Sequence, residues 1–326
     1  MSEASLNQSQ RGAVAPRTNI GLLQRFEWLR GYLLMSPTMV IMLAMLIAPL
    51  VALCVRSFWT QSGFDIDTTF TLNNYWRLIA PADTTTYWLG IPFPLQTPGY
   101  AIVLLKSLLI SLASTVAVVL AAYPMAYFLA FRVTRHKMLW LIAITIPFWT
   151  SYLLRVFAWK IILGYGGVIN TGLIKLGLIH QPLDFLLYNP VAVVITLTHA
   201  WAAFAIFPIY VSLEKIDRSL LEAATDLGDR PWQRFLDITL PLSAPGLIAT
   251  SLLVFIPTVG DYVTPSLVGG PGGVMVGNTI VTLFGQQNDT PMGAALSMVM
   301  MAIVTVLVCL FLWGVGYRKM KAREAV

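Results

Sequence analysis

Six long, mostly apolar runs alternate with polar segments along this chain. A helix that crosses a membrane needs about 20 mostly apolar residues, because each residue rises about 1.5 Å through a hydrocarbon layer about 30 Å thick. Each run is long enough for such a helix. The pattern therefore predicts an all-α membrane protein with six transmembrane helices. Their predicted ranges are 32–55, 104–131, 138–154 with a polar end continuing toward residue 163, 190–213, 244–262 and 292–317.

The first run is predicted to be a retained membrane helix and not a secretion signal. It is too long for the apolar part of a signal peptide, and a polar leader of 31 residues precedes it. The chain then divides into segments that follow the runs. We predict an N-terminal tail at 1–31, the first helix at 32–55, an ordered loop at 56–100, a five-helix core at 101–317 and a C-terminal tail at 318–326.

Composition excludes a pair of soluble domains, which the length of 326 residues would otherwise suggest. Hydrophobic residues make up 57% of the chain and charged residues only 11%, whereas a soluble chain carries about 25% charged residues. So few charged side chains cannot cover a water-exposed surface, and lipid must cover much of it.

The positive charges are distributed unevenly among the loops. An even number of spans places both termini on the same side of the membrane. The tails on that side, together with the loop between the second and third spans and the loop between the fourth and fifth, contain 15 of the 21 Lys and Arg residues. Such loops face the cytoplasm, so both termini are predicted to be cytoplasmic. The 15 residues are Arg11, Arg17, Arg25, Arg30, Arg132, Arg135, Lys137, Lys215, Arg218, Arg230, Arg234, Arg318, Lys319, Lys321 and Arg323.

Cysteines and histidines offer no metal or disulfide chemistry. Cys54 and Cys309 both lie in apolar runs and are interpreted as lipid-buried thiols. The three histidines are far apart, with no metal-ligand spacing. No metal site is expected, and the basic balance is explained by the membrane without a nucleic-acid partner.

The loop between the fourth and fifth spans, residues 214–243, contains the sharpest motif. Ser219 is predicted to cap a short helix, with Glu222 completing a capping box. Gly228 suits a left-handed C-terminal cap, and Pro231 prevents simple continuation of the helix. A second amphipathic turn is predicted from Trp232 to Ile238. The short helix that Ser219 caps is predicted to place four residues on one face: Leu220, Ala223, Ala224 and Leu227.

The spacing of this loop resembles a known signature. Glu222-Ala223-Ala224, three residues, Gly228, nine residues and Ile238-x-Leu240-Pro241 match the EAA loop of ABC-importer permeases. A helix that merely connects two spans would explain the amphipathicity but not this spacing. The resemblance implies a type I importer fold, with spans two to six as the shared core and the loop docked on a cytoplasmic ATPase. The implied coupling residues are Glu222, Ala223, Ala224, Asp226, Gly228, Ile238, Leu240 and Pro241.

Two further stretches narrow the resemblance. Residues 147–159 and 255–271 are similar to the third-span and fifth-span signatures of spermidine/putrescine permeases, and the long loop after the first span is similar to the first permease of the pair. Asp261 stands where that family is expected to have Glu. The resemblance implies import of polyamines across a bacterial inner membrane. The implied partners are a second permease, two ATPase subunits that hold ATP and Mg, and a periplasmic binding protein.

This chain itself shows no means of hydrolysing a nucleotide, so it is not expected to be an enzyme and no cofactor is expected in it. The run Gly269-Gly270-Pro271-Gly272-Gly273 lacks the Lys of a phosphate-binding loop. It is interpreted as a flexible or turn-rich loop near the outer mouth, where it could face the binding protein.

Asp261 is the only acid within the six predicted spans. Intramembrane acids are costly and mark pathways or paired cations, and with Tyr262 this one could attract an amine. The alternatives are a position in water at the helix end or a pair with Arg155 or Lys160. Pro257 and Gly260 would form a gate. Further pathway candidates, for which packing is the alternative, are Trp149, Tyr152, Trp159, His199, Trp201 and Tyr210.

Three cations near the proposed pathway, Lys106, Arg155 and Lys160, argue against a wholly acidic route. Two other functions remain open at this point. One is an ABC importer permease for an amino acid, a sugar or an anion. The other is an ion-driven secondary transporter, although such proteins usually carry more intramembrane ionisable groups and internal repeats.

Overall fold

The computed structural model describes residues 27–80, 87–88, 91–92 and 99–324. The rest of the predicted N-terminal tail, including Arg11, Arg17 and Arg25, lies outside the described residues, as do parts of the loop between 81 and 98 and the last two residues. The chain separates into two compact units, residues 1–52 and 53–326. Helix α1, Glu27–Arg56, begins in the first unit, and the remaining elements belong to the second.

Six stretches of the described residues are long and apolar enough to cross a membrane. The first, second, fourth and sixth predicted spans are confirmed to within a few residues. The fifth begins earlier than residue 244 and ends at Val259. The main helices are α1, α3 (Gly99–Phe131), α4 (Lys137–Thr145), α5 (Tyr152–Leu163), α6 (Val168–Lys175), α7 (Pro190–Glu214), α8 (Arg218–Asp226), α9 (Pro231–Arg234), α10 (Leu240–Val259), α11 (Val276–Gly285) and α12 (Thr290–Glu324), with α2 (Asn73–Ile79) in the first loop.

The third span is broken, which the prediction of one helix from 138 toward 163 missed. After α4, a 3-10 turn covers Ile146–Trp149, and Thr150 and Ser151 are extended before α5 begins. Pro147 explains the interruption, because proline supplies no N–H for the helical ladder and its ring crowds the preceding turn. The span that is long enough to cross runs over α5 and α6, Tyr152–Lys175.

Helices α3, α7 and α10 pack against one another and form the centre of the bundle. Helices α7 and α10 approach closely at Gly246 of α10, where an added Cβ would lie 2.5 Å from Ser212 Cβ and 2.7 Å from the Pro208 carbonyl of α7. Small side chains allow such close packing in membrane helices. The small buried residues of these helices include Ser107, Ser111, Ser114, Ala122, Ala126, Ala130, Ala192, Thr196, Ala200, Ala203, Ser243 and Thr250.

The described part of the loop after α1 contains short strands and one helix. Strands β1 (Thr60–Ser62) and β2 (Asp65–Asp67) form an antiparallel hairpin, and a second short pair joins β3 (Tyr87–Trp88) to β4 (Ile91–Pro92). The buried Asn74 of α2 donates to the Trp59 carbonyl at 2.7 Å. These contacts close the loop onto itself at one end of the bundle.

The glycine-rich segment after α10 is turn-rich, as predicted, and it packs closely against its neighbours. It forms a π-helical turn at Pro265–Gly269 and a 3-10 turn at Pro271–Gly273, followed by α11, which packs on α12. Gly270 has a φ of +57°, and a Cβ there would lie 2.7 Å from the Tyr188 carbonyl oxygen. Glycine is therefore required at this position both by conformation and by space.

Candidate functional site

A cleft opens where the break in the third span meets the end of α10. Its volume is about 650 Å³. It combines one carboxylate, one guanidinium, one phenol and several aromatic rings. Its lining consists of Phe148, Thr150, Tyr152, Arg155, Ala200, Trp201, Phe204, Leu253, Pro257, Gly260, Asp261, Tyr262 and Val263.

The carboxylate of Asp261 is held by hydrogen bonds on both of its oxygens. Oδ1 accepts from the Val263 backbone N–H at 2.9 Å, and Oδ2 accepts from the Tyr152 hydroxyl at 2.5 Å. A phenol has one hydrogen to donate. The Thr264 hydroxyl, 2.6 Å from the Tyr152 oxygen, therefore donates to Tyr152. This chain of polar groups joins α5 to the segment that follows α10.

A glycine of α11 fixes the backbone around Asp261. A Cβ on Gly277 would lie 2.7 Å from the Gly260 carbonyl oxygen and 2.8 Å from that of Asp261, so only glycine permits this contact without displacement. The Asn278 amide donates to the Tyr262 carbonyl at 2.9 Å. The start of α11 thus holds the turn in which the carboxylate lies.

The structure corrects the sequence interpretation of Asp261 in two respects. The residue lies just beyond α10, which ends at Val259, and its side chain is half-buried. Within the part of the chain that the structure describes, it forms no ion pair with Arg155 or Lys160. Arg155 instead bonds to backbone carbonyls, and the Lys160 ammonium lies 5.8 Å from the Phe157 ring centre.

The other predicted pathway residues divide into two groups. Tyr152, Trp201 and Tyr262 line the cleft together with the predicted gate residues Pro257 and Gly260. The cleft lining does not include the remaining four. The Trp149 side chain is 85% exposed, the Trp159 ring packs against that of His199 at 5.3 Å, and Tyr210 packs on the bundle core about 14 Å further along α7 than Trp201.

Sequence reasoning missed the two phenylalanines of the cleft wall, Phe148 and Phe204. Phe148 reaches the cleft because it lies in the 3-10 turn of the break. Pro147, visible in the sequence, was the signal that could have located this break.

The segment between α7 and α10 has the predicted short helix, but with a different N-terminal cap. Asp217, and not Ser219, caps α8: its Oδ1 accepts from the Ser219 backbone N–H at 3.0 Å. That hydrogen bond lowers the pKa of the Asp217 carboxyl below its ordinary value, because it stabilises the charged form. The helix therefore starts two residues earlier than predicted, and the Ser219–Glu222 capping box is wrong.

The C-terminal cap of α8 is confirmed. Gly228 has a φ of +93°, its N–H donates to the Thr225 carbonyl, and the Asp229 N–H donates to the Ala224 carbonyl, both at 3.0 Å. This pair of bonds is the Schellman arrangement, in which a left-handed residue ends the helix.

The predicted single face of α8 is divided in the structure. Ala224 is only 5% exposed and packs toward its own chain, whereas Leu227 is 87% exposed. Glu222, Ala223 and Asp226 are also exposed. Ala224 packs against its own chain and anchors the helix there. The exposed face mixes small, apolar and acidic side chains.

The end of this segment runs directly into α10. The predicted turn from Trp232 to Ile238 is confirmed as helical, through α9 and a π-helical stretch at Phe235–Thr239. Phe235 packs edge-on against Tyr123 of α3, with ring centres 5.7 Å apart, and Leu240 packs on the same core. At its other end, Glu214 forms an ion pair with Lys137 at 2.7 Å.

Comparison with known proteins supports this architecture. Residues 28–317 match the family model described as binding-protein-dependent transport system inner membrane component. The spermidine/putrescine transport system permease protein PotB of Escherichia coli K12 is 38% identical over 244 residues, covering 75% of this chain and 82% of that protein. PotB of Haemophilus influenzae is 36% identical, covering 67% and 76%. The E. coli inner membrane ABC transporter permease protein YdcU is 32% identical, covering 78% and 80%.

Solved structures show the same fold. A bacterial alginate ABC transporter in complex with an alginate-bound periplasmic protein includes a chain that matches with a TM-score of 0.65 and 17% identity, over 88% of this chain and 93% of that one. A second structure, of a bacterial ABC transporter that imports alginate, matches with a TM-score of 0.64 and 18% identity, over 91% and 97%. The predicted fold is thereby confirmed. This chain belongs to the family of multi-pass inner membrane components of binding-protein-dependent ABC transport systems.

Proposed function

We propose that this chain is a permease subunit of an ATP-driven polyamine importer and forms half of the translocation pathway. Relatives that are 36–38% identical are named as spermidine/putrescine permeases. The observation that carries the proposal in this chain is the half-buried Asp261 carboxylate in a cleft walled by aromatic rings.

The chemistry of this cleft suits a flexible organic cation. A primary ammonium can pair with the charge of Asp261 and donate hydrogen bonds to it, and the faces of Tyr262 and Trp201 attract a cation through their ring quadrupoles. The cleft volume of about 650 Å³ lies within the range of small-molecule sites. The carboxylate would repel an anion, and a neutral sugar could donate hydrogen bonds to it but would bring no opposite charge.

Energy for transport comes, in this proposal, from two cytoplasmic ATPase subunits that hold ATP and Mg. The exposed Glu222, Ala223 and Asp226 would contact the ATPase, with Glu222 and Asp226 accepting hydrogen bonds from it. Gly228 would set the turn at the end of the contact helix. Ile238, Leu240 and Pro241 would carry the displacement into α10.

The proposed orientation places both termini and α8 in the cytoplasm, because 15 of the 21 Lys and Arg residues lie in the tails and in the two loops on that side. The opposite end of the bundle would then face a periplasmic binding protein that delivers the amine. A second, homologous permease would complete the pathway, since one chain supplies only one wall of it.

The test is uptake by cells in which this chain and its neighbouring subunits replace the host polyamine importers. Labelled putrescine and spermidine should enter, whereas a labelled amino acid, sugar, phosphate and sulfate should not. Affinity-tagged chain should also bring an ATPase with it on purification. Uptake of another solute with none of either amine would refute the polyamine assignment, and purification with no ATPase would refute the importer assignment.

A further inference from the structure

The guanidinium of Arg155 bridges the break in the third span. One terminal nitrogen, Nη2, donates to the carbonyls of Phe148 at 3.2 Å and Thr150 at 3.1 Å. The other, Nη1, donates to the Ala200 carbonyl of α7 at 3.1 Å. The guanidinium also lies 4.6 Å from the centre of the Phe148 ring. One side chain thus contacts the end of the first half-span, the extended link and a neighbouring helix.

Two of these acceptors, the carbonyls of Phe148 and Thr150, lie in the turn and the extended link of the break, whereas the Ala200 carbonyl lies within α7. The last carbonyls of any helix lack intrahelical donors, and at a break inside a bundle they need a donor from a side chain. Arginine supplies several donors in a planar fork, whereas lysine presents a single rotating ammonium. The guanidinium therefore satisfies two carbonyls at the break at once and also engages α7.

Arg155 and Tyr152 lie three residues apart on α5, so they share one face of the helix. Both line the cleft. Because Arg155 fixes the start of α5 relative to the break and to α7, it also fixes the position from which the Tyr152 hydroxyl reaches Asp261 and Thr264.

We infer that Arg155 is a positioning residue that holds Tyr152 against Asp261 and so orients the carboxylate for a primary ammonium. The part of this inference that concerns the amine rests on the proposed function. The contacts of Arg155 also explain how a cation is accommodated beside a cationic substrate. Its charge is engaged by three carbonyl dipoles and a ring face, and no ion pair with Asp261 competes with the substrate for the carboxylate.

Amide hydrogen exchange on the purified full transporter tests the positioning without any substrate. Arg155→Lys should raise exchange about tenfold in residues 148–152, through loss of at least two hydrogen bonds, and also in residues 260–266. Tyr152→Phe should raise exchange only in 260–266. The double variant should exchange no faster there than the faster single variant. The control Lys160→Gln removes a cation from the same helix at a position away from the break, and it should change exchange in neither 148–152 nor 260–266.

A purely local role for Arg155 would loosen 148–152 and leave 260–266 as in the wild type, which would overturn the inference. Additive effects of the two substitutions in 260–266 would overturn it too. If Arg155→Lys fails to assemble, Phe148→Leu removes the ring beneath the guanidinium and should give the same two-segment pattern with a smaller increase.

Uptake of labelled putrescine supplies the functional arm. Arg155→Lys and Tyr152→Phe should each reduce uptake, and the double variant should match the more affected single variant. If the wild-type transporter takes up neither putrescine nor spermidine, the proposed function fails, while the exchange pattern still decides whether Arg155 positions Tyr152.

Discussion

Replacement of Asp261 by Asn tests the central feature of the cleft. Asparagine keeps the size of the side chain and can still accept the Tyr152 hydrogen bond, but it removes the charge. A hydrogen bond that involves a charged group contributes about 1.5–3 kcal/mol, and about 1.4 kcal/mol corresponds to a factor of ten. Uptake of putrescine should therefore fall by roughly 10-fold to 150-fold.

The assay is uptake into proteoliposomes that contain the assembled transporter, at a fixed concentration of amine-loaded binding protein, with ATP hydrolysis measured in parallel. Because binding protein captures the amine first, the rate at this fixed concentration reports the transmembrane step. Asp261→Glu should retain most of the activity, and Asp289→Asn, an acid paired with Arg77 outside the cleft, should retain nearly all. Wild-type uptake by a correctly assembled Asp261→Asn transporter would refute the assignment of the carboxylate to the amine.

Three further substitutions test the structure at separate places. Gly228→Val should uncouple ATP hydrolysis from uptake. The control is Gly177→Val, which lies at the same kind of left-handed helix end, with a φ of +68° against +93° for Gly228. It should impose a similar strain of about 1–2 kcal/mol and leave coupling intact. Gly246→Val should lower the free energy of unfolding by about 1–3 kcal/mol, because the core there is overpacked. Gly314→Val should leave it unchanged, because a Cβ at that position would meet nothing within 4 Å. Asp217→Ala should speed amide exchange at the start of α8, and Asp217→Asn should do so less. Because the folded pKa of Asp217 is lowered, its cap is present throughout the neutral range and is lost only as the pH falls through that lowered value.

Hydropathy located the membrane helices but could not show where one of them breaks. Both halves of the third span are apolar, so the composition is continuous across Thr150 and Ser151. The break depends on backbone geometry, to which Pro147 contributes locally and Arg155 through hydrogen bonds. Hydropathy averaged over a window of residues contains neither effect.

The candidate site shows the same limit in another form. Asp261 was identifiable as the one acid in the predicted spans. Its partner Tyr152 lies 109 residues earlier, and the residues next to either one do not predict the contact. The coupling segment was better predicted, because its caps and spacing are local. Its error at Ala224 arose because helical periodicity shows which residues share a face, whereas tertiary packing decides how much of that face is buried.

The continuous helical segment Pro231–Val259 connects the two functional regions. It is about 43 Å long at 1.5 Å per residue, with the α8 segment at one end and Asp261 just beyond the other. Gly246 pins it against α7 midway. Proline removes a helical hydrogen bond at Pro257 near the far end and also at Pro245, but next to Pro245 the helix is held against α7 by Gly246. We therefore expect bending near Pro257 when α8 is displaced. Tyr152 and Asn278 belong to other helices, so we expect such bending to strain the hydrogen bonds from Tyr152 to Asp261 and from Asn278 to the Tyr262 carbonyl.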